Sequence, residues 1–197
     1  DTAINEGAFD GRAEVLAWLQ SPIDAFFMHI QGAARLKLDD GSQIRLSYAA
    51  KSGHPFTAIG ALLVEMGAIE KSRVSMQAII AWLEDNPDKG PELMNENRSY
   101  IFFKETPLGD EALGPVAAAK VQLTANRSLA VDMEYHTFGT PIFVLAENVN
   151  NTSFAKLMIA QETGTAIVGQ SRGDILFGNG EDAGNMAGGV DSPSTIF

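Results

Sequence analysis

The stretch Ile159–Gly180 constrains this chain most. It reads Ile-Ala-Gln-Glu-Thr-Gly-Thr-Ala-Ile-Val-Gly-Gln-Ser-Arg-Gly-Asp-Ile-Leu-Phe-Gly-Asn-Gly. Apolar runs cut by Gly164, Gly169 and Gly173 predict short strands joined by tight turns. Glycine there lets the backbone take positive φ and pass close to a bulky ligand. Two carboxylates lie within the run, Glu162 after Leu157–Ile159 and Asp174 before Ile175–Phe177. An acid at a strand end among apolar neighbours is a place where desolvation favours the protonated form, the form a general acid needs. Two surface acids beside a β-turn would show the same local pattern. A third acid, Asp132, also closes an apolar run (Leu-Ala-Val), and Gly139-Thr-Pro then turns the chain into Ile142–Leu145.

The rest of the C-terminal half follows this punctuation. Strands are expected at Lys120–Leu123, Ser128–Asp132, Pro141–Leu145, Ala155–Ala160, Thr165–Val168 and Asp174–Phe177, a spacing that suggests a small barrel. Glu105–Ala118 holds two Pro and two Gly and reads as a crossing loop, which places the expected domain boundary between residues 106 and 107.

The N-terminal half mixes periods. Asp10–Leu19 has a weak helical pattern. Ser21-Pro22 is a helix start, with Ser21 as N-cap and Pro22 at the first helical position, and that helix is expected to end near Ile30. From Ala33 to Tyr48 the period becomes two around Asp40-Gly41, the pattern of a β-hairpin. The polar run Tyr48–Phe56 precedes a helical face of Phe56, Ile59, Leu62, Leu63 and Met66 capped by Gly67. Ser75–Glu84 is a second such helix, Pro91–Asn97 a short third, and Tyr100–Phe103 a strand.

Bulk properties narrow the function classes. The 197 residues suffice for one good core or two small domains. Hydrophobic content of 45% and charged content of 20% suit a globular protein. The net charge of −11 argues against nucleic acid as a partner, though not against a largely neutral glycan. With no Cys there are no disulfides, thiolate metal sites or cysteine nucleophiles. No His-x-x-x-His or Glu-x-x-His pair suggests zinc. The glycine-rich spacing of Asp132, Glu162 and Asp174 is not that of a calcium loop. No phosphate loop is present, and Ser171 has only the distant His136 as a partner.

These motifs resemble the three-aspartate (3D) domain of the membrane-bound lytic murein transglycosylase A (MltA) family: Asp132 after its small apolar run; Glu162 with Gly164, Ala166, Ile167 and Gly169; and Asp174 opening the next strand. Gly178-Asn179-Gly180 and Asp182–Gly188 match later family elements, and the resemblance runs from about Asp10 to the end. The family usually has Asp where this chain has Glu162. Its members are longer, so an N-terminal segment with the first barrel strands is expected outside this chain. The resemblance implies a mainly β fold with a few helices, a double-psi β-barrel plus part of an inserted second β-rich domain, with a groove between them. It implies no cofactor and no metal. It also implies residence in the periplasm, outer-membrane association through a lipid anchor outside this chain, and glycan strands of peptidoglycan as partner.

The implied reaction cleaves the β-1,4 bond between N-acetylmuramic acid and N-acetylglucosamine without water. The muramic 6-hydroxyl attacks its own C1 and leaves a 1,6-anhydro end. One carboxyl serves as acid and then as base, and internal attack has a proximity advantage over water. The resemblance gives that role to Asp174, protonated at rest under apolar cover or beside another anion, with Asp132 and Glu162 as the neighbouring acids. Satisfaction of turn N–H groups remains an equal reading of Asp132 and Glu162. In the N-terminal half the family's Gln-Gly pair, its Tyr-Ala-x-x-x-Gly-His run and its Ser-x-Gln run match here. They make Gln31, Tyr48, Lys51, His54 and Gln77 candidate substrate contacts, with Gly164 and Gly169 added from the barrel. His54, before Pro55 at a helix entrance, also fits capping or packing. Met76, Trp82, Phe102 and Phe103 read as core. A hydrolase on the same barrel and a non-catalytic wall-binding module are the competing functions.

Overall fold

The computed structural model describes residues 2–110, 112–188, 190 and 192–197. The chain forms two compact units, Asp1–Leu108 and Gly109–Phe197.

In the first unit the helices are α1 (Thr2–Asn5), α2 (Pro22–Gln31), α3 (Ile59–Glu65), α4 (Met76–Asp85) and α5 (Gly90–Asn95). The strands β1 (Ala33–Lys37), β2 (Gln43–Lys51) and β3 (Ile101–Thr106) form an antiparallel sheet in the order β1-β2-β3. Helix α2 begins as the sequence dictates. The Ser21 hydroxyl accepts the Asp24 N–H at 3.1 Å, Pro22 opens the first turn, and Gly32 closes the helix at φ 73° with its N–H donating to Met28 O. Such a cap stabilises a helix by about 1 kcal/mol. Ser75 does the same for α4 through the Ala78 N–H. The core of this unit is Phe26, Ile59, Leu63, Leu83, Leu93 and Met94, with Trp82, Ile79 and Leu62 packed against it.

Three expectations change here. Asp10–Leu19 is not helical: residues 6–12 are turns, and Val15 and Trp18 stay 61% and 90% exposed. Of this stretch only Ala17 and Leu19 are half-buried, too few to cover an amphipathic stripe. Helix α3 starts at Ile59, so Phe56 lies before it and Met66 after its last turn, both exposed. Strand β3 extends to Thr106, into the expected loop.

The second unit holds β4 (Ser128–Val131), β5 (Pro141–Val149), β6 (Thr152–Glu162), β7 (Gly173–Ile175) and β8 (Ser194–Ile196), with α6 (Glu181–Gly188). The strands form a curled half-barrel sheet in the order β7-β4-β6-β5-β8, in which β4 runs parallel to β6 and every other pairing is antiparallel. Strand β5 buries every second residue over Ile142, Val144 and Ala146. These meet Leu129, Val131, Phe154, Met158 and Ala160 in one core. Strands β5 and β6 outrun their expected limits because Asn150 and Asn151, both at positive φ, make a two-residue turn joining them directly. Lys120–Leu123 is not a strand but carries a single bridge, Val116 to Gln122. Thr165–Val168 is not a strand either: the Ile167 N–H closes onto Gly164 O, and Val168 stays 72% exposed. Helix α6 had no counterpart in the sequence reading.

Two predictions follow from the first unit. Leu63 is fully buried, so Leu63→Ala is expected to cost about 2–5 kcal/mol in denaturant unfolding. His29 Nδ1 accepts the Ile101 N–H at 3.3 Å, and the ring lies against Tyr100 and Phe103. Burial holds its pKa below 6.5, so the unfolded chain takes up this proton first. Its contribution to stability is therefore complete above about pH 6.5 and is lost as pH falls through the lowered value. Thermal melting across this range should show that slope, and His29→Leu should flatten it.

Candidate functional site

The site of the second unit is set by register. In β4, Leu129 and Val131 point into the core, so Ala130 between them faces the other way. Its partner on β7 is Asp174 and its partner on β6 is Glu162. On β6, Met158 and Ala160 face the core, and strict alternation would send Glu162 there too. A register shift prevents this: Leu129 pairs with Ala160 but Ala130 with Glu162, so Gln161 is the extra residue. Ser128 and the loop before β4 hold this shift in place. The Ser128 hydroxyl donates to Gln161 Oε1 at 2.6 Å, and Gln161 O accepts the Ala119 N–H at 3.1 Å. Glu162 and Asp174 thus flank β4 at one level, their backbones two strand spacings, about 10 Å, apart. Asp132 follows the end of the same strand. The three acids lie at one end of the sheet.

Their environments differ. Asp132 is buried, and each of its oxygens is engaged: Oδ2 accepts the Gly169 N–H at 2.6 Å and Oδ1 the Glu134 N–H at 2.9 Å. These two bonds, the first above all, hold its pKa below the usual carboxylate range despite its burial. Gly169 takes φ 106°, a conformation that favours glycine, which lets its N–H reach the carboxylate. His136 adds a second tie, with Nε2–H donating to Gln170 O at 2.8 Å. Residues 132–136 thereby clamp the loop 163–172. Glu162 is half-buried, and its Oε1 accepts both the Thr163 N–H at 2.9 Å and the Ala118 N–H at 3.2 Å. Among the described residues Oε2 has no hydrogen-bond partner. For these two acids the turn N–H reading describes the bonds made.

Asp174 differs from expectation. Its side chain is 46% exposed rather than covered by apolar groups, and both oxygens meet Arg172: Nε to Oδ1 at 2.6 Å, Nη2 to Oδ2 at 3.2 Å. Positions i and i+2 of an extended run share a face, the one signal by which the sequence could have given Arg172. Gly164 lies where a Cβ would meet Ile167 at 3.3 Å. Among the described residues no group of three or more His, Asp or Glu side chains is placed to hold a metal ion.

The first unit carries the other candidates. Tyr48 is 49% exposed on β2, beside the register shift between Tyr48 and Ala50. Lys51 ends that strand, and the exposed His54 sits in a turn where its N–H approaches the Ser52 hydroxyl. Ser52 ties this turn to residues 98–100 through Arg98 O and the Tyr100 N–H. Gln31, at the end of α2, lines an open groove of about 850 Å³ with Trp18, Arg35 and Met76. Gln77 is exposed in the first turn of α4. Tyr48, Lys51 and His54 share one stretch of backbone, whereas Gln31 and Gln77 sit on separate helices.

The Asp132 clamp generates a prediction. An amide offers one acceptor oxygen where the carboxylate offers two, so Asp132→Asn should strand one of the two N–H groups and speed amide exchange there. Because the folded pKa is depressed, the bonds contribute fully above about pH 4 and weaken as pH falls through the lower folded value. Melting temperature against pH should show this acid slope in the native chain and lose it in Asp132→Asn.

Comparison with known proteins places both units. Residues 1–104 match the MltA specific insert domain and residues 127–197 the 3D domain. The membrane-bound lytic murein transglycosylase A of Escherichia coli K12 is 36% identical over 88% of this chain and 48% of its own length. That of Vibrio cholerae is 32% identical over 94% of this chain and 51% of its own. The chain therefore spans about half the length of these curated relatives. Among solved structures, a membrane-bound lytic murein transglycosylase from Agrobacterium tumefaciens superposes with a TM-score of 0.91 at 47% identity, over 99% of this chain and 54% of that one. E. coli MltA with bound chitohexaose gives 0.88 at 31% identity, over 98% and 58%. The register that levels Glu162 and Asp174, the insert-domain match and these likenesses lead to one conclusion: this chain belongs to the family of membrane-bound lytic murein transglycosylase A.

Proposed function

We propose that the chain carries the acid–base part of a peptidoglycan lytic transglycosylase. The observation that carries this reading is the β4 register: it sets Glu162 and Asp174 opposite one residue, Ala130, with Asp132 just beyond. Among the described residues Asp174 is the one acid of the three that is not bound to backbone N–H groups, and its side chain is 46% exposed. It donates a proton to the leaving oxygen of the β-1,4 bond between muramic acid and glucosamine residues. As carboxylate it then takes the proton of the muramic 6-hydroxyl as that oxygen closes on C1. Among the described residues Glu162 Oε2 has no hydrogen-bond donor, and it serves the developing positive charge at C1 or a sugar hydroxyl. Asp132, both oxygens engaged, positions the loop 163–172 rather than touching substrate.

Tyr48 supplies a face for a pyranose ring, and Gln31, Lys51, His54 and Gln77 supply polar contacts; Gly164 and Gly169 let the loop backbone approach the glycan. The names of the relatives and the chitohexaose bound to one of them support a glycan strand as substrate. Those names, "membrane-bound", also support a periplasmic place at the outer membrane, held by a lipid on a segment outside this chain. No helix among the described residues is long and apolar enough to cross a membrane.

The test is a digest of purified sacculi with mass analysis of released muropeptides. Products one water lighter than hydrolytic ones are expected, and Asp174→Asn should reduce them by at least about a hundredfold, the low end of a general acid's contribution. Full activity in that variant would refute the assignment, and water-bearing products would make the protein a hydrolase. Binding to sacculi without products would make it a wall-binding module.

A further inference from the structure

The acid of the proposed mechanism sits on a very short strand. Strand β7 spans Gly173–Ile175 and stands at the edge of the sheet. Among the described residues it pairs with β4 alone, through Leu129 with Ile175, Ala130 with Asp174 and Val131 with Gly173. So short a ladder, one of its pairs to a glycine, specifies register weakly, and a slip of one residue would turn Asp174 toward the core face of Leu129 and Val131. The position at which the chain enters β7 therefore decides the face of the acid.

The turn after β4 controls that entry. The N–H groups of Tyr135 and His136 both donate to Asp132 O, at 3.2 and 3.0 Å, so residues 132–136 form one turn of helical type. Positions i and i+4 of such a turn lie on one side, which turns the Asp132 carboxylate and the His136 ring toward the same loop. The first accepts the Gly169 N–H at 2.6 Å, and the second donates from Nε2 to Gln170 O at 2.8 Å. An acceptor and a donor thus grip consecutive residues, and two points fix an orientation where one fixes only a distance. The gripped pair opens a turn that the Arg172 N–H closes onto Gly169 O at 3.1 Å, and the next residue, Gly173, is the first of β7.

We infer that His136 is a positioning residue for Asp174: its bond to Gln170 O, beside the Asp132 bond, sets the register of β7 and so the face on which Asp174 emerges. This rests on the reading of Asp174 given under Proposed function. The role needs an N–H at the place of Nε2 and nothing else of the imidazole, because a carbonyl oxygen only accepts. A glutamine carries an amide N–H to a similar reach, whereas a leucine fills the space without a donor.

The test compares the native chain with His136→Leu and His136→Gln. On soluble glycan strands His136→Leu should keep KM within about twofold and lose kcat by roughly tenfold to a hundredfold, the cost of a catalytic group misplaced by about 1 Å. His136→Gln should recover most of that loss. Amide exchange across residues 173–175, a readout that needs no activity, should be at least about fivefold faster in His136→Leu, the value of one hydrogen bond, and near native in His136→Gln. Full kcat or unchanged exchange in His136→Leu, or no recovery in His136→Gln, would overturn the inference and leave the reading of Asp174 standing. Loss of the melting transition in both variants would overturn it as well, by making His136 a residue of the fold at large. Absence of anhydro products from the native chain would instead remove the reading of Asp174, and this inference with it.

Discussion

The site depends on one misstep in a parallel β-pair. Strand β6 approaches β4 with Met158 and Ala160 in the core, and a regular ladder would bury the next alternate residue, Glu162, among them. An unpaired buried carboxylate costs several kcal/mol. The extra residue at Gln161 turns Glu162 to the opposite face and level with Asp174. The bonds from Gln161 to Ser128 and Ala119 give the displaced backbone and side chain their partners. The core residues of β6 and the acid at its end are compatible only because the register slips between them.

The neighbouring acids are kept from interfering by being occupied. In a chain of net charge −11, three carboxylates at one sheet end would repel one another. Asp132 spreads its charge over two backbone N–H groups, Glu162 places one oxygen on two more, and Asp174 takes the guanidinium of Arg172. The same bonds build the site, because each ties a different loop to the sheet end: 163–172 through Asp132, 115–119 through Glu162. Charge neutralisation and loop placement are one set of contacts.

Legibility of the fold varied with how local its causes were. The Ser21 and Ser75 caps, the Asp40-Gly41 hairpin and the period-two run of β5 depend on residues within a few positions of one another, and all were readable. Asp10–Leu19 failed because a helical stripe is a promise of burial that the described residues do not keep. Thr165–Val168 failed because its apolar residues line a turn whose shape is dictated by Gly169 and by Asp132, far away in sequence. The Asn150–Asn151 turn was not read, although asparagine tolerates the left-handed conformation that both residues adopt.

By itself the sequence determined the family, the three acids and the glycines around them, since these are residue types at fixed spacing and spacing survives without coordinates. It also determined the capped helices and the hairpin, whose interactions span one turn. Only the tertiary structure decided what each acid touches. Sheet register brought Asp132, Glu162 and Asp174 to one end, a bulge chose the face of Glu162, and the turn into β7 laid Arg172 on Asp174. Those outcomes rest on pairings between residues far apart in the sequence, Ala130 with Glu162 and with Asp174, where a shift of one position reverses every side chain. No local pattern records such a shift.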